Sequence, residues 1–151
     1  MLSSRARYAT RALLDLSLRD DAKATLIQDI AERQNIPVKF LQQILVALKV
    51  GGFLQSRKGP GGGYALAKSP DEITLGAVIR AMDGQIAPIS CVSVTNFHEC
   101  GCPNPETCVL RMKFREVRDA MSEVLDNTTF AELRDLQTRL NGQPSILDYV
   151  I

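Results

Sequence analysis

All four cysteines of this 151-residue chain, Cys91, Cys100, Cys102 and Cys108, fall within eighteen residues in the pattern C-x8-C-x-C-x5-C. Buried structural cysteines scatter among core positions, so their concentration in a polar stretch without hydrophobic periodicity points to soft-metal or redox chemistry. Thiolates suit zinc, copper(I) and iron-sulfur clusters, and in a reducing cytoplasm a disulfide is the less favoured use. The spacing matches neither the paired C-x2-C of a zinc ribbon nor the common ferredoxin runs, so a cluster, zinc and a thiol-disulfide switch all stay open. His98, the one histidine, lies inside the loop. It is a candidate ligand, although a solvated loop histidine is the more ordinary reading. With no second base beside a cysteine, a Cys/His hydrolase has little to build on, and the chain does not read as an enzyme.

The elements that must position this loop follow from pattern. At 45% hydrophobic and 23% charged residues, the composition is that of a globular protein with a real core, not of a disordered chain. Charges cut every apolar stretch, which disfavours a membrane span, and no signal-peptide segment opens the chain, so the expected address is the cytoplasm. Ala6, Ala9, Leu13 and Leu16 recur at helical spacing over residues 4–18, with Ser3 or Ser4 as cap. Thr25 is expected to cap a second helix with Ile27, Ile30 and Ala31 inward, ending near Asn35. Pro37 then opens a third, with Leu41, Ile44, Leu45 and Leu48 on one face, stopped by Gly51 and Gly52. Two helices joined by a tight turn suggest a helix-turn-helix. Strand candidates 53–56 and 64–67 flank Arg57-Lys58-Gly59-Pro60-Gly61-Gly62-Gly63, a basic hairpin that reads as a wing beside the helix pair, with a purely structural hairpin as the plain alternative. A nucleotide-binding phosphate loop is excluded, because no Gly-Lys-Ser/Thr follows and the segment leads into a strand.

Thr74 caps a fourth helix carrying Leu75, Val78, Ile79 and Met82. Beyond the cysteine loop, Leu110, Phe114, Val117, Met121 and Val124 form close to two heptads of an apolar seam. That helix either pairs with a twofold mate or packs on its own domain. Thr129 and Glu132 predict a capping box for a last helix bearing Phe130, Leu133, Leu136 and Leu140. Charge is uneven: residues 1–80 hold 12 Lys plus Arg against 7 Asp plus Glu, and residues 81–151 hold 6 against 10. A basic first half suits an anionic partner for that half, with solvated surface charge as the plain alternative.

Several segments together carry a family resemblance: Arg7-Tyr8-Ala9, Phe40-Leu41 with Leu45, Gly59-Pro60-Gly61-Gly62-Gly63-Tyr64, the cysteine loop, and Asn127-Thr128-Thr129. The chain resembles the IscR, NsrR and RirA group of bacterial winged helix-turn-helix repressors, the Rrf-two superfamily, over most of its length. The resemblance implies a homodimer on near-palindromic double-stranded DNA. It also implies an iron-sulfur cluster, 2Fe-2S or 4Fe-4S, that senses iron, nitric oxide or oxidative stress. Weight thereby moves from zinc to a cluster, with structural zinc or a thiol switch as the alternative. Known members complete three cysteines with a histidine three residues after the last, or with an acidic residue in the first helix. Arg111 and Arg7 stand at those positions here. By the resemblance Cys91, Cys102 and Cys108 match the three ligands, and Cys100 is an extra thiol, making all-cysteine coordination the simplest hypothesis.

The expected fold is mostly α with a small β-wing: a winged helix-turn-helix domain plus a long dimerisation helix. Residues 1–84 would bind DNA, 85–108 hold the cluster, 109–142 form the dimerisation and C-terminal helices, and 143–151 a tail. Lys39, Gln42 and Gln43 would face the major groove. Arg5, Arg7, Arg11, Arg57 and Lys58 would contact the phosphate backbone, with Gly61 and Gly62 letting the wing approach closely.

Overall fold

The computed structural model describes residues 2–19 and 23–142; the expected tail at 143–151 lies outside them. Helix α1 (Ser4–Ser17) is capped by Ser3, whose hydroxyl accepts from the Ala6 amide at 3.0 Å. It buries Ala6, Ala9, Leu13 and Leu16 as the spacing predicts. Helix α2 (Ile27–Gln34) starts after Leu26 with no side-chain cap. Thr25 does not cap it, because its backbone is committed elsewhere: its N–H and C=O exchange 2.8 Å bonds with Tyr64 in the wing. Asn35, at φ 48°, turns the chain into α3 (Val38–Val50), with Pro37 one position earlier than expected, at the cap. Asparagine is among the few residues that tolerate this left-handed conformation. Leu41, Ile44, Leu45 and Leu48 are buried, leaving the opposite face of α3 to solvent.

Strands β1 (Leu54–Arg57) and β2 (Gly63–Leu66) pair antiparallel, Leu54 opposite Leu66 and Arg57 opposite Gly63. They run one residue later and one earlier than the sequence reading, since the Phe53 amide is spent on Leu48 O. Helix α4 (Leu75–Asp83) is capped by Thr74 and ends at Gly84 in the left-handed region. Its C-terminal Asp83 carboxylate accepts from the Ser3 amide at 3.0 Å and from the Ser3 hydroxyl, tying α4 to the start of α1.

Helix α5 (Val109–Asn127) carries no buried residue, and α6 (Phe130–Asn141) buries only Phe130. Thr129 accepts from the Glu132 amide at 3.2 Å, one half of the expected capping box. Phe130 is fully buried in the same cluster as Leu13, Leu45 and Val78, so the core is continuous across residue 84. A bidentate Arg80–Asp126 pair, at 2.6 and 2.8 Å, fastens α4 to the end of α5.

Candidate functional site

The cysteine loop leaves α4 at Gly84 and returns at Cys108. Cys91 sits in a short 3-10 turn, Ser90–Val92, where it and Val92 are only 7% and 3% exposed. Cys100 and Cys108 are half-buried and Cys102 is exposed. The thiols interact in series, Cys91 with Cys100, Cys100 with Cys102, and Cys102 with Cys108. Burial, then the neighbouring Cys100, pushes the Cys91 thiol up. Hydrogen bonds from the Cys102 thiol and amide hold Cys100 below the ordinary thiol value, and the same donation pushes Cys102 up to about 11. Cys108 also caps α5, its Sγ accepting from the Arg111 amide at 3.4 Å.

A cleft of about 470 Å³ opens beside the thiols, lined by Cys91, Cys100, Phe97, Glu99, Glu106 and Arg111 among others. Among the described residues no group of three or more His, Cys, Asp or Glu side chains is arranged to hold a metal ion. His98 turns to Asn96, 3.1 Å away. The donor chemistry therefore fits a soft metal or cluster, while the thiols meet as neighbouring pairs and not as a finished cage.

Arg111 is no ligand, but it has a use that spacing alone did not reveal. Its Nε donates to Cys91 O at 3.2 Å and its Nη1 to Pro105 O at 3.4 Å, with the guanidinium 5.7 Å from the Phe97 ring centre. Arg118, missed in the sequence reading, donates through Nη1 to Val92 O at 2.6 Å. The available signal was the seven-residue interval that puts both arginines on one face of α5.

In the helix-turn-helix, Lys39, Gln42 and Gln43 are exposed on α3, next to exposed Val38 and Val46. Arg57, Lys58 and Gly61 are exposed in the wing, and Arg5 and Arg7 on the outer side of α1. Two expected contacts stand differently. Arg11 is half-buried, reaching Gln34 through Nη2 to its carbonyl and Nε to its side chain, and lies 5.5 Å over the Tyr8 ring. Gly62 is buried in the wing turn, where an added Cβ would lie 2.5 Å from Arg57 O and 2.7 Å from Gly59 O. Arg11 thus braces α1 against α2, and Gly62 shapes the wing.

Residues 2–135 match the family described as Rrf2, iron-dependent transcriptional regulator. The chain belongs to the Rrf2 family. This Rrf2 protein is 37% identical over 132 residues to the HTH-type transcriptional regulator IscR of Erwinia tasmaniensis, covering 87% of this chain and 77% of that one. In solved structures, CymR, the global cysteine regulator of B. subtilis, aligns with a TM-score of 0.76 at 29% identity, covering 90% of this chain and 97% of that one. T. potens IscR aligns at 0.74 and 24% identity, over 99% and 96% of the two chains, which supports the shared fold. The protein is a transcription regulator of the IscR type and not an enzyme. The fold is that of the winged helix-turn-helix Rrf2 regulators. Among the described residues, no helix is long and apolar enough to cross a membrane.

Proposed function

We propose that this Rrf2 protein is a cytoplasmic, homodimeric, DNA-binding repressor that reports iron, redox or nitric oxide status through an iron-sulfur cluster at Cys91, Cys100, Cys102 and Cys108. The observation that carries the reading is the series of neighbouring thiols, Cys91 to Cys100 to Cys102 to Cys108, that ends at the N-terminus of α5, a helix whose apolar seam lies open. Family membership and the IscR relatives support the iron-sulfur assignment. When bound, the cluster supplies a centre that oxidants, nitric oxide or iron depletion can disrupt.

The chain's own residues do the rest. Cys91 is anchored in the protein and Cys108 begins α5, so closing the thiols around one centre draws the loop's two ends together. That order biases how α5 packs on the partner copy, and with it the separation of the two α3 helices on near-palindromic DNA. Lys39, Gln42 and Gln43 read base edges while Arg57 and Lys58, with Arg5 and Arg7, hold phosphates.

The pairwise thiol contacts, with no group of three or more such donors converged among the described residues, favour a second reading, a thiol-disulfide switch or structural zinc in the same loop. Anaerobic purification, with a visible spectrum and iron, sulfide and zinc analysis of the same sample, tests the choice. Brown protein with matched iron and sulfide is the expected result. Colourless protein that stoichiometrically holds zinc, or that forms reversible disulfides and takes up no cluster on reconstitution, would overturn it.

A further inference from the structure

We propose that Arg111 and Arg118 form a two-point clamp through which the position of the Cys91 turn is passed to α5. Both are positioning residues, and the sensing role of the clamp rests on the reading that the loop is the sensor. Arg111 joins the loop's two halves, bonding Cys91 O and Pro105 O at once. Two helical turns later, Arg118 bonds Val92 O at 2.6 Å, and Asp119 Oδ1 orients its guanidinium from 2.8 Å at Nε. The Arg118 side chain is only 16% exposed, on a helix with no fully buried residue. A charge so covered keeps its place only while its hydrogen bonds are satisfied, so the contact is specific rather than incidental. Because Cys91 and Val92 are themselves buried, the two carbonyls are fixed points. A shift of that turn displaces both arginines and hence the first half of α5. The second face of the same helix carries Leu110, Phe114 and Val117, so the clamp links the thiols to the apolar seam.

The test uses the reduced, metal-free full chain and its Arg111→Gln, Arg118→Gln and Arg118→Lys variants. Pulsed alkylation with iodoacetamide, read by mass spectrometry at each cysteine, should find Cys91 the slowest thiol. It should become about tenfold faster in Arg118→Gln, the loss expected for one charge-assisted hydrogen bond. Arg111→Gln also removes the cation that favours the Cys91 thiolate and is therefore read by faster amide exchange at Val92. Arg118→Lys, which keeps a charged donor for Val92 O where Gln offers only a shorter, neutral one, should restore most of the protection. Amide exchange at Leu13 and Leu45 guards against general unfolding. In a second arm, Cd²⁺ serves as a thiolate probe. The wild type should gain amide protection over residues 109–118 on binding it, whereas Arg118→Gln should bind Cd²⁺ without that response. Unchanged Cys91 reactivity in Arg118→Gln, or a faster Cys91 accompanied by faster exchange of the core amides, overturns the clamp. Wild-type protein that binds no Cd²⁺ but loses Cys91 protection in Arg118→Gln keeps the clamp and removes the metal-sensing reading instead.

Discussion

Single residues separate what spacing can reveal from what only packing reveals. The cysteine pattern was legible because four identical reactive groups in eighteen residues are improbable as core. Asp15 was not: in sequence it is one charge among the apolar positions of α1, yet its side chain is 2% exposed and meets Arg33 at 2.7 and 2.9 Å. Burial alone would raise its pKa, but hydrogen bonds from Arg33 and Gln34 prevail and hold it below the ordinary carboxylate value. A carboxyl depressed in the folded state adds stability above its unfolded pKa and loses it as pH falls through the folded value. Asp15→Asn should therefore cost about 2 kcal/mol at neutral pH, and flatten the acid limb of stability below its ordinary value of 3.8 in urea melts taken against pH. Cys108 combines two tasks, thiol and helix cap. Cys108→Ser should keep wild-type stability, since a hydroxyl is the better cap, while Cys108→Ala loses about 1 kcal/mol. Both should abolish cluster loading, as measured by iron and sulfide content after reconstitution.

At the scale of elements, the helix-turn-helix and wing were readable because each has local punctuation: Asn35 at the turn, Gly51 after α3, the glycine run between the strands. The contact of Thr25 with Tyr64, which adds a short bridge to the wing, depends on long-range pairing and left no local mark. It also moved the start of α2 beyond the residue whose side chain would have capped it. The exposed side of α3 and the wing should divide their labour on DNA. Arg57→Ala should weaken all duplexes and lower the salt slope of log K by about one unit, whereas Gln42→Ala should alter sequence preference. Binding of both variants to a selected site and to random duplex at several salt concentrations decides it. Equal losses on both duplexes for both variants would remove the assignment of base reading to Gln42.

The whole molecule raises the question that two heptads could not answer alone, whether the α5 seam faces its own domain or a second copy. Leu110, Phe114, Val117, Met121 and Val124 are between 36% and 66% exposed, and further along Leu136 and Leu140 of α6 are also open. The winged domain, meanwhile, closes its core with Phe130 and needs nothing from that seam. A contiguous apolar stripe on a chain with a completed core is the mark of an interface. In the proposed homodimer an isologous pairing would place the same seam on both copies and set two α3 helices on one duplex. Val124→Glu should therefore convert a dimer to a monomer in sedimentation equilibrium while leaving the urea midpoint of the monomeric fold nearly unchanged, because Val124 packs on little within its own chain. Two half-sites held together gain from effective concentration, so affinity for a near-palindromic duplex should fall by about 100-fold, and affinity for a single half-site should not change. A Val124→Glu protein that still sediments as a dimer would place the contact elsewhere, and the apolar face of α5 would then need a different partner.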